Sequence, residues 1–209
     1  QDPTNPQIGE IWYNTTIGVL KARKFTAAAW ASGGAGGTAR QTVAGFGVVT
    51  EALVAAGEQP AGTLSAKTEE YNGSSWSEQN NMATARRILG GCGTQTAGLV
   101  FGGFTSGNLD LTEEYGGTSW TGGGALPSAT RGLAGAGTQT AGLGFGGFTT
   151  TSVTTTVEYD GSSWTGGGAL NTARQALAGS GTQSAAAAFG GSGLTAATEK
   201  YDGSSWTNS

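Results

Sequence analysis

The chain has 209 residues, a net charge of −4 and an apolar content of 36 %, and 40 of its residues are Gly. With 0 His, 1 Cys (Cys92) and 1 Met, it can form no internal disulfide, no His-based catalytic triad, and no His/Cys cluster for zinc, copper or haem. Its 10 Lys and Arg against 14 Asp and Glu leave no basic footprint for nucleic acid, and no apolar run approaches the ~20 residues that cross a bilayer.

Taken in chain order, the first residues, Gln1-Asp2-Pro3-Thr4-Asn5-Pro6, have no basic or apolar leader character and no initiator Met, as expected of a processed product or part of a longer chain. Residues 1–29 read as an N-terminal hairpin or partial blade, Glu10 to Tyr13 and then Val19 to Phe25. Residues 30–209 read as four repeats of about 44 residues in the same domain. The marker is Trp, at Trp30, Trp76, Trp120, Trp164 and Trp206, at intervals of 46, 44, 44 and 42. Five residues before each Trp stands an aromatic: Phe25, Tyr71, Tyr115, Tyr159 and Tyr201. Ten or eleven residues after the first four Trp comes Arg40, Arg86, Arg131 or Arg174.

Each unit predicts four short strands. In the clearest one they run from Leu133 to Gly137, from Ala141 to Gly146, from Thr156 to Tyr159, and from Trp164 onward. A Thr-Gln-Thr turn joins the first two. Asn72-Gly73, Gly116-Gly117, Asp160-Gly161 and Asp202-Gly203 supply hairpin turns, where Gly takes positive φ without steric cost. Such a sheet cannot bury both faces alone, so units stack, and radial stacking gives an all-β propeller with no helices. The first expectation is five blades with an incomplete N-terminal one; the alternatives are four blades plus a hairpin, or part of a longer array. Trp and Tyr supply the packing area in a chain poor in bulky aliphatics.

The order of apolar run, Gly-Gly, Tyr and Trp, as in Leu99-Val100-Phe101-Gly102-Gly103, then Tyr115 and Trp120, resembles the kelch repeat, which implies one four-stranded blade per repeat. The first unit departs from it, with Ala56-Gly57 in place of the double glycine. A second resemblance rests on the opening from Pro6 to Lys21 (PQIGEIWYNTTIGVLK) followed by repeats of the form TARxxLAGxGTQTAGLxFGG and TEEYxGSSW. This combination is similar to virion structural proteins of tailed phages, especially of marine bacteria, which are tail-fibre, appendage or capsid-surface components. The resemblance implies a non-enzymatic protein on the virion surface, present in multiple copies, that attaches to host or to other virion subunits. The alternatives are a purely architectural or decoration protein and, from a different class, a carbohydrate-active enzyme of propeller fold.

No residue is expected to be catalytic or to bind a cofactor or metal. The copper oxidase chemistry known on kelch-like propellers needs His ligands that the chain lacks. Glu70, Glu114 and Glu158 recur with the repeat Arg residues, which points to a structural Glu–Arg contact rather than a single active site. Asn14-Thr15-Thr16 and Asn72-Gly73-Ser74 fit a glycosylation pattern but read as turns. Variation concentrates in the loops after the second strand, from Glu58 to Lys67, Phe104 to Leu111, Phe148 to Thr156, and Ser192 to Ala197. There Phe104, Thr105, Ser106, Asn108, Phe148, Thr149, Thr150 and Ser192 are the candidate ligand residues, suited to hydrogen bonding and stacking on a host glycan or to contacts with a protein.

Overall fold

The computed structural model describes residues 11–22, 33–192 and 196–209; Phe25, Trp30 and part of the last variable loop lie outside the described residues. The chain forms two compact units, residues 1–32 and 33–209. In the first, β1 (Ile11–Asn14) and β2 (Val19–Ala22) pair as an antiparallel hairpin.

The second unit is a β-propeller of four blades, each a four-stranded antiparallel meander. Blade 1 comprises β3 (Ala44–Val48), β4 (Glu51–Ala55), β5 (Thr68–Tyr71) and β6 (Trp76–Gln79). Blade 2 comprises β7 (Gly90–Thr94), β8 (Ala97–Phe101), β9 (Thr112–Tyr115) and β10 (Trp120–Gly122). Blade 3 comprises β11 (Ala134–Gly137), β12 (Gly142–Phe145), β13 (Thr156–Tyr159) and β14 (Trp164–Gly166). Blade 4 comprises β15 (Ala178–Thr182), β16 (Ala185–Phe189), β17 (Thr198–Tyr201) and β18 (Trp206–Asn208). The described residues therefore hold four blades plus a hairpin, not five blades. One short 3-10 turn, Pro60–Gly62, is the helical element among them.

The first strand of each blade is the innermost, with β3 packed on β7, β7 on β11, and β11 on β15. Glycine permits this convergence: a Cβ on Gly135 would lie 2.4 Å from the Gly91 carbonyl oxygen. The four strands line a central cavity of about 260 Å³ through residues 45–47, 91–93, 135–137 and 179–181. At the far ends of the blades Gly161 takes φ +93° in the turn between β13 and β14, where the Asp160 carboxylate accepts the backbone N–H groups of Ser162 and Ser163. Asn72 and Asp202 do the same in blades 1 and 4.

There is one hydrophobic cluster per seam rather than one core. Leu53 and Ala55 of blade 1 meet Val100 and Tyr115 of blade 2. Leu99 and Phe101 meet Tyr159 and Trp164, and Leu143 and Phe145 meet Ala186, Ala188, Tyr201 and Trp206. The Phe that ends the second strand is covered by the Trp of the following blade, with ring centroids 4.8 Å apart for both Phe101–Trp164 and Phe145–Trp206. Among the described residues no strand of blade 4 packs comparably against blade 1, and the equivalent Phe189 is 41 % exposed where Phe101 and Phe145 are fully buried.

This asymmetry gives a stability test. Phe145→Ala should cost about 3–5 kcal/mol, the range for emptying an aromatic site in a packed core, whereas Phe189→Ala should cost about 1 kcal/mol or less, as for a surface substitution. Urea unfolding of the two variants measures the difference.

Candidate functional site

The polar side chains that recur among the repeats are spent between and within the blades. At each seam the Trp indole donates to the Thr that opens the third strand of the preceding blade: Trp120 to Thr68 at 2.8 Å, Trp164 to Thr112 at 2.9 Å and Trp206 to Thr156 at 2.9 Å. The Tyr hydroxyl donates to the Glu beside the preceding Tyr: Tyr115 to Glu70 at 2.8 Å, Tyr159 to Glu114 and Tyr201 to Glu158 both at 2.5 Å. Burial and then the Glu raise all three phenols, Tyr159 and Tyr201 to about 12. A third link is the Gln of the Thr-Gln-Thr turn, Thr-Gln-Ser in blade 4, which reads in sequence as turn chemistry alone. Gln95, Gln139 and Gln183 each donate to two backbone carbonyls of the preceding blade, such as Gly98 and Tyr115 for Gln139. Its recurrence was the available signal. Val49 stands at this place in blade 1 and is 87 % exposed.

The arginines pair with a different carboxylate from the one the sequence suggests. Arg40 and Arg174 meet Glu69 and Glu199, each at 2.8 Å, and Arg86 meets Glu113. In each pair the second carboxylate oxygen accepts a backbone N–H, from Gly37, Ala83 or Asn171, at 2.7 Å. Burial lowers the Arg86 guanidinium below its ordinary value, with Glu113 opposing. Side chains alternate across a strand, so Glu70 and its counterparts face the next blade's Tyr while the preceding residue faces Arg.

Blade 3 lacks this network altogether. A 44-residue step from Arg86 leads to Thr130, from Glu113 to Val157, and from Ala83 to Pro127, so guanidinium, carboxylate and amide donor are all absent. Arg131, eleven residues after its Trp, is the counterpart of Arg87 and not of Arg86. It lies on the loop edge of the propeller.

At that edge the residue after the network position bridges the residue after the glycines: Gln41 with Glu58, Arg87 with Phe104, and Arg131 with Phe148. In blade 4 the Ser192 amide donates to the Gln175 carbonyl. The candidate loop residues thus begin at equivalent places along one edge. Arg87 forms an ion pair with Glu58 at 2.6 Å, which holds the Glu58 carboxyl below its ordinary range, and a cavity of about 320 Å³ lies beside Glu58, lined also by Gln41, Gln59 and Pro60. Arg87 and Arg131 lie 5.5 and 4.8 Å from the Phe104 ring centroid, and Arg131 lies 4.5 Å from that of Phe148. Phe104 and Phe148, expected as free stacking platforms, are half-buried and already stacked with arginine. Asn108 accepts from Arg131 at 3.1 Å and donates to the carbonyls of Phe148 and Thr149, tying the two loops together. Thr105 and Thr149 are half-buried, and Ser106, Thr150 and Ser192 are exposed.

Cys92 is free and buried on β7, and burial pushes its thiol up to about 12. Among the described residues no cluster of His, Cys, Asp and Glu could hold a metal. These features define a β-propeller whose recurrent side chains serve the scaffold and whose variable side chains share one edge. No protein-family model matches the sequence, and no curated protein compared with it matches either.

Two outcomes follow. Removing one partner of a buried pair, as in Glu113→Ala, should cost about 3–5 kcal/mol. The double variant Arg86→Thr/Glu113→Val, which installs the blade 3 residues, should cost less than either of its single substitutions; denaturant unfolding of all three variants checks this. The raised phenols also predict alkaline destabilisation. The folded state holds these protons up to about 12 for Tyr159 and Tyr201, against about 10 in the unfolded chain. The stabilisation is therefore complete below about pH 10 and lost as pH rises towards 12, which thermal unfolding across that window measures.

Proposed function

We propose that the chain is a non-enzymatic structural protein of a phage virion, a surface or fibre module that attaches the particle to its host or to other virion subunits. The observation that carries the attachment reading is the loop edge, where equivalent positions hold Gln41 and Glu58, then Arg87 and Phe104, then Arg131 and Phe148, then Gln175 and Ser192. Different side chains at repeated places on a fixed scaffold are what a binding surface built from repeats requires. The recurrent charged residues of the sequence are committed to the scaffold: Arg86 and Arg174 are buried in structural pairs, and Glu70, Glu114 and Glu158 accept from the hydroxyls of Tyr115, Tyr159 and Tyr201. The assignment to a virion rests on the phage-like opening from Pro6 to Lys21, and the kelch-like order of apolar run, double Gly, Tyr and Trp supports a blade-per-repeat module. Several copies on one particle gain ~10² to 10⁴ in avidity from individually weak contacts.

A second reading, a purely architectural or decoration protein, is favoured by blade 4. Ala187 is half-buried and Phe189 exposed on a face whose counterparts, Leu99 and Phe101 in blade 2 and Leu143 and Phe145 in blade 3, are sealed by the next blade. Binding of the particle and of the isolated chain to host cells, beside an assay for carbohydrate oxidation and hydrolysis, separates the readings. Saturable cell binding without turnover is the expected result. Turnover by the purified chain overturns the non-enzymatic assignment, and contacts confined to virion subunits favour the architectural one.

A further inference from the structure

The geometry points to Arg131 as the centre of a binding site for a carboxylated saccharide, such as a uronic-acid oligomer. This deepens the attachment reading and rests on it for the biological source of the ligand. Among the described residues Arg40, Arg86, Arg87 and Arg174 each meet a carboxylate, whereas the one side-chain hydrogen bond of Arg131 goes to the neutral Asn108 oxygen. The Nε atoms of those four are buried without a hydrogen-bond partner, while no donor atom of Arg131 is sealed in that way. Arg131 is half-buried, and its remaining N–H groups are neither paired nor sealed.

The charge is also held in place. The Phe104 and Phe148 rings flank the guanidinium, and Asn108 fixes both the guanidinium and the loop that carries Phe148. With the two rings 4.8 and 4.5 Å from the guanidinium carbon, a ligand meets the N–H groups left unpaired, and two parallel N–H groups of a guanidinium fit the two oxygens of a carboxylate. The two loops continue from Phe104 into Thr105 and Ser106 and from Phe148 into Thr149 and Thr150, with Ser106 and Thr150 exposed, and their hydroxyls are suited to sugar hydroxyls. Arg87, which also meets the Phe104 ring, is neutralised by Glu58, so among the described residues Arg131 is the cation of this edge left without a carboxylate, and beside hydroxyl-bearing loops it matches an acidic sugar better than a neutral one.

The test is calorimetric titration of the chain with oligogalacturonate and with the same oligomer fully methyl-esterified, which keeps the sugar and masks the carboxylates. The acid should bind at least about tenfold more tightly than the ester, and more weakly as salt is raised. Arg131→Gln should lose about tenfold or more for the acid alone, and Arg131→Lys, which keeps the charge but not the fork, should fall between. Equal affinity for acid and ester, no binding of the acid, or an unaffected Arg131→Gln variant with unchanged thermal unfolding overturns the inference; the acid–ester comparison needs no variant and survives any loosening of the loop. Host cells bound equally by wild type and Arg131→Gln overturn this site and leave attachment standing. Arg131-dependent binding of the acid without any cell binding does the reverse.

Discussion

A blade of four short strands has two faces and no interior of its own, so everything in this protein depends on the seam between blades. The seam combines an apolar layer, such as Phe145 under Trp206, with three polar links at fixed register: indole to Thr, phenol to Glu, and Gln to backbone carbonyls. The apolar layer provides the driving force. The polar links decide the register, because sliding one blade by a residue would leave buried donors unpaired. Small first strands follow from the same requirement: only a strand like Ala134–Gly137 lets neighbouring backbones approach closely enough for the outer aromatics to meet.

Much of this was legible in the sequence, because seam residues recur at the repeat period while loop residues do not. The spacing of Tyr and Trp gave the third and fourth strands nearly to the residue, and the third strand of blade 3 runs over Thr156–Tyr159 as the pattern predicts. Three things were harder to read. Glu69 and Glu70 are adjacent and chemically identical, and only the two-residue alternation of a strand assigns one to Arg40 and the other to Tyr115. The Gln in Thr-Gln-Thr has an adequate local explanation as a turn residue, which hides its role in the neighbouring blade. Phe104 and Phe148 read as available for stacking on a glycan because nothing local to either loop announces the arginines that lie over them.

The departure in blade 3 separates two kinds of conservation within the chain. Pro127, Thr130 and Val157 replace all three members of the buried Arg–Glu–amide network at once, and Thr130 and Val157 are still buried. A buried charge is costly when its partner is missing but exchangeable when the whole set goes. The network therefore behaves as a unit that blades either keep or lose together. The seam links show no such exchange from blade 1 to blade 4, for Tyr, Trp and Gln are retained at all three internal seams, including both that involve blade 3.

The same logic explains why binding chemistry collects at one edge. A side chain inside a seam is constrained by two blades, and a change there requires a compensating change in the neighbour. A side chain at the start of the loop after the second strand is held by a backbone bridge, as in Arg131 with Phe148, so its position is fixed by main-chain hydrogen bonds whatever its chemistry. Glu58, Phe104, Phe148 and Ser192 can therefore differ while occupying equivalent places. The scaffold fixes where these groups stand and leaves their identity free, and Arg131 is the position where that freedom places a cation without a carboxylate partner between two aromatic loops.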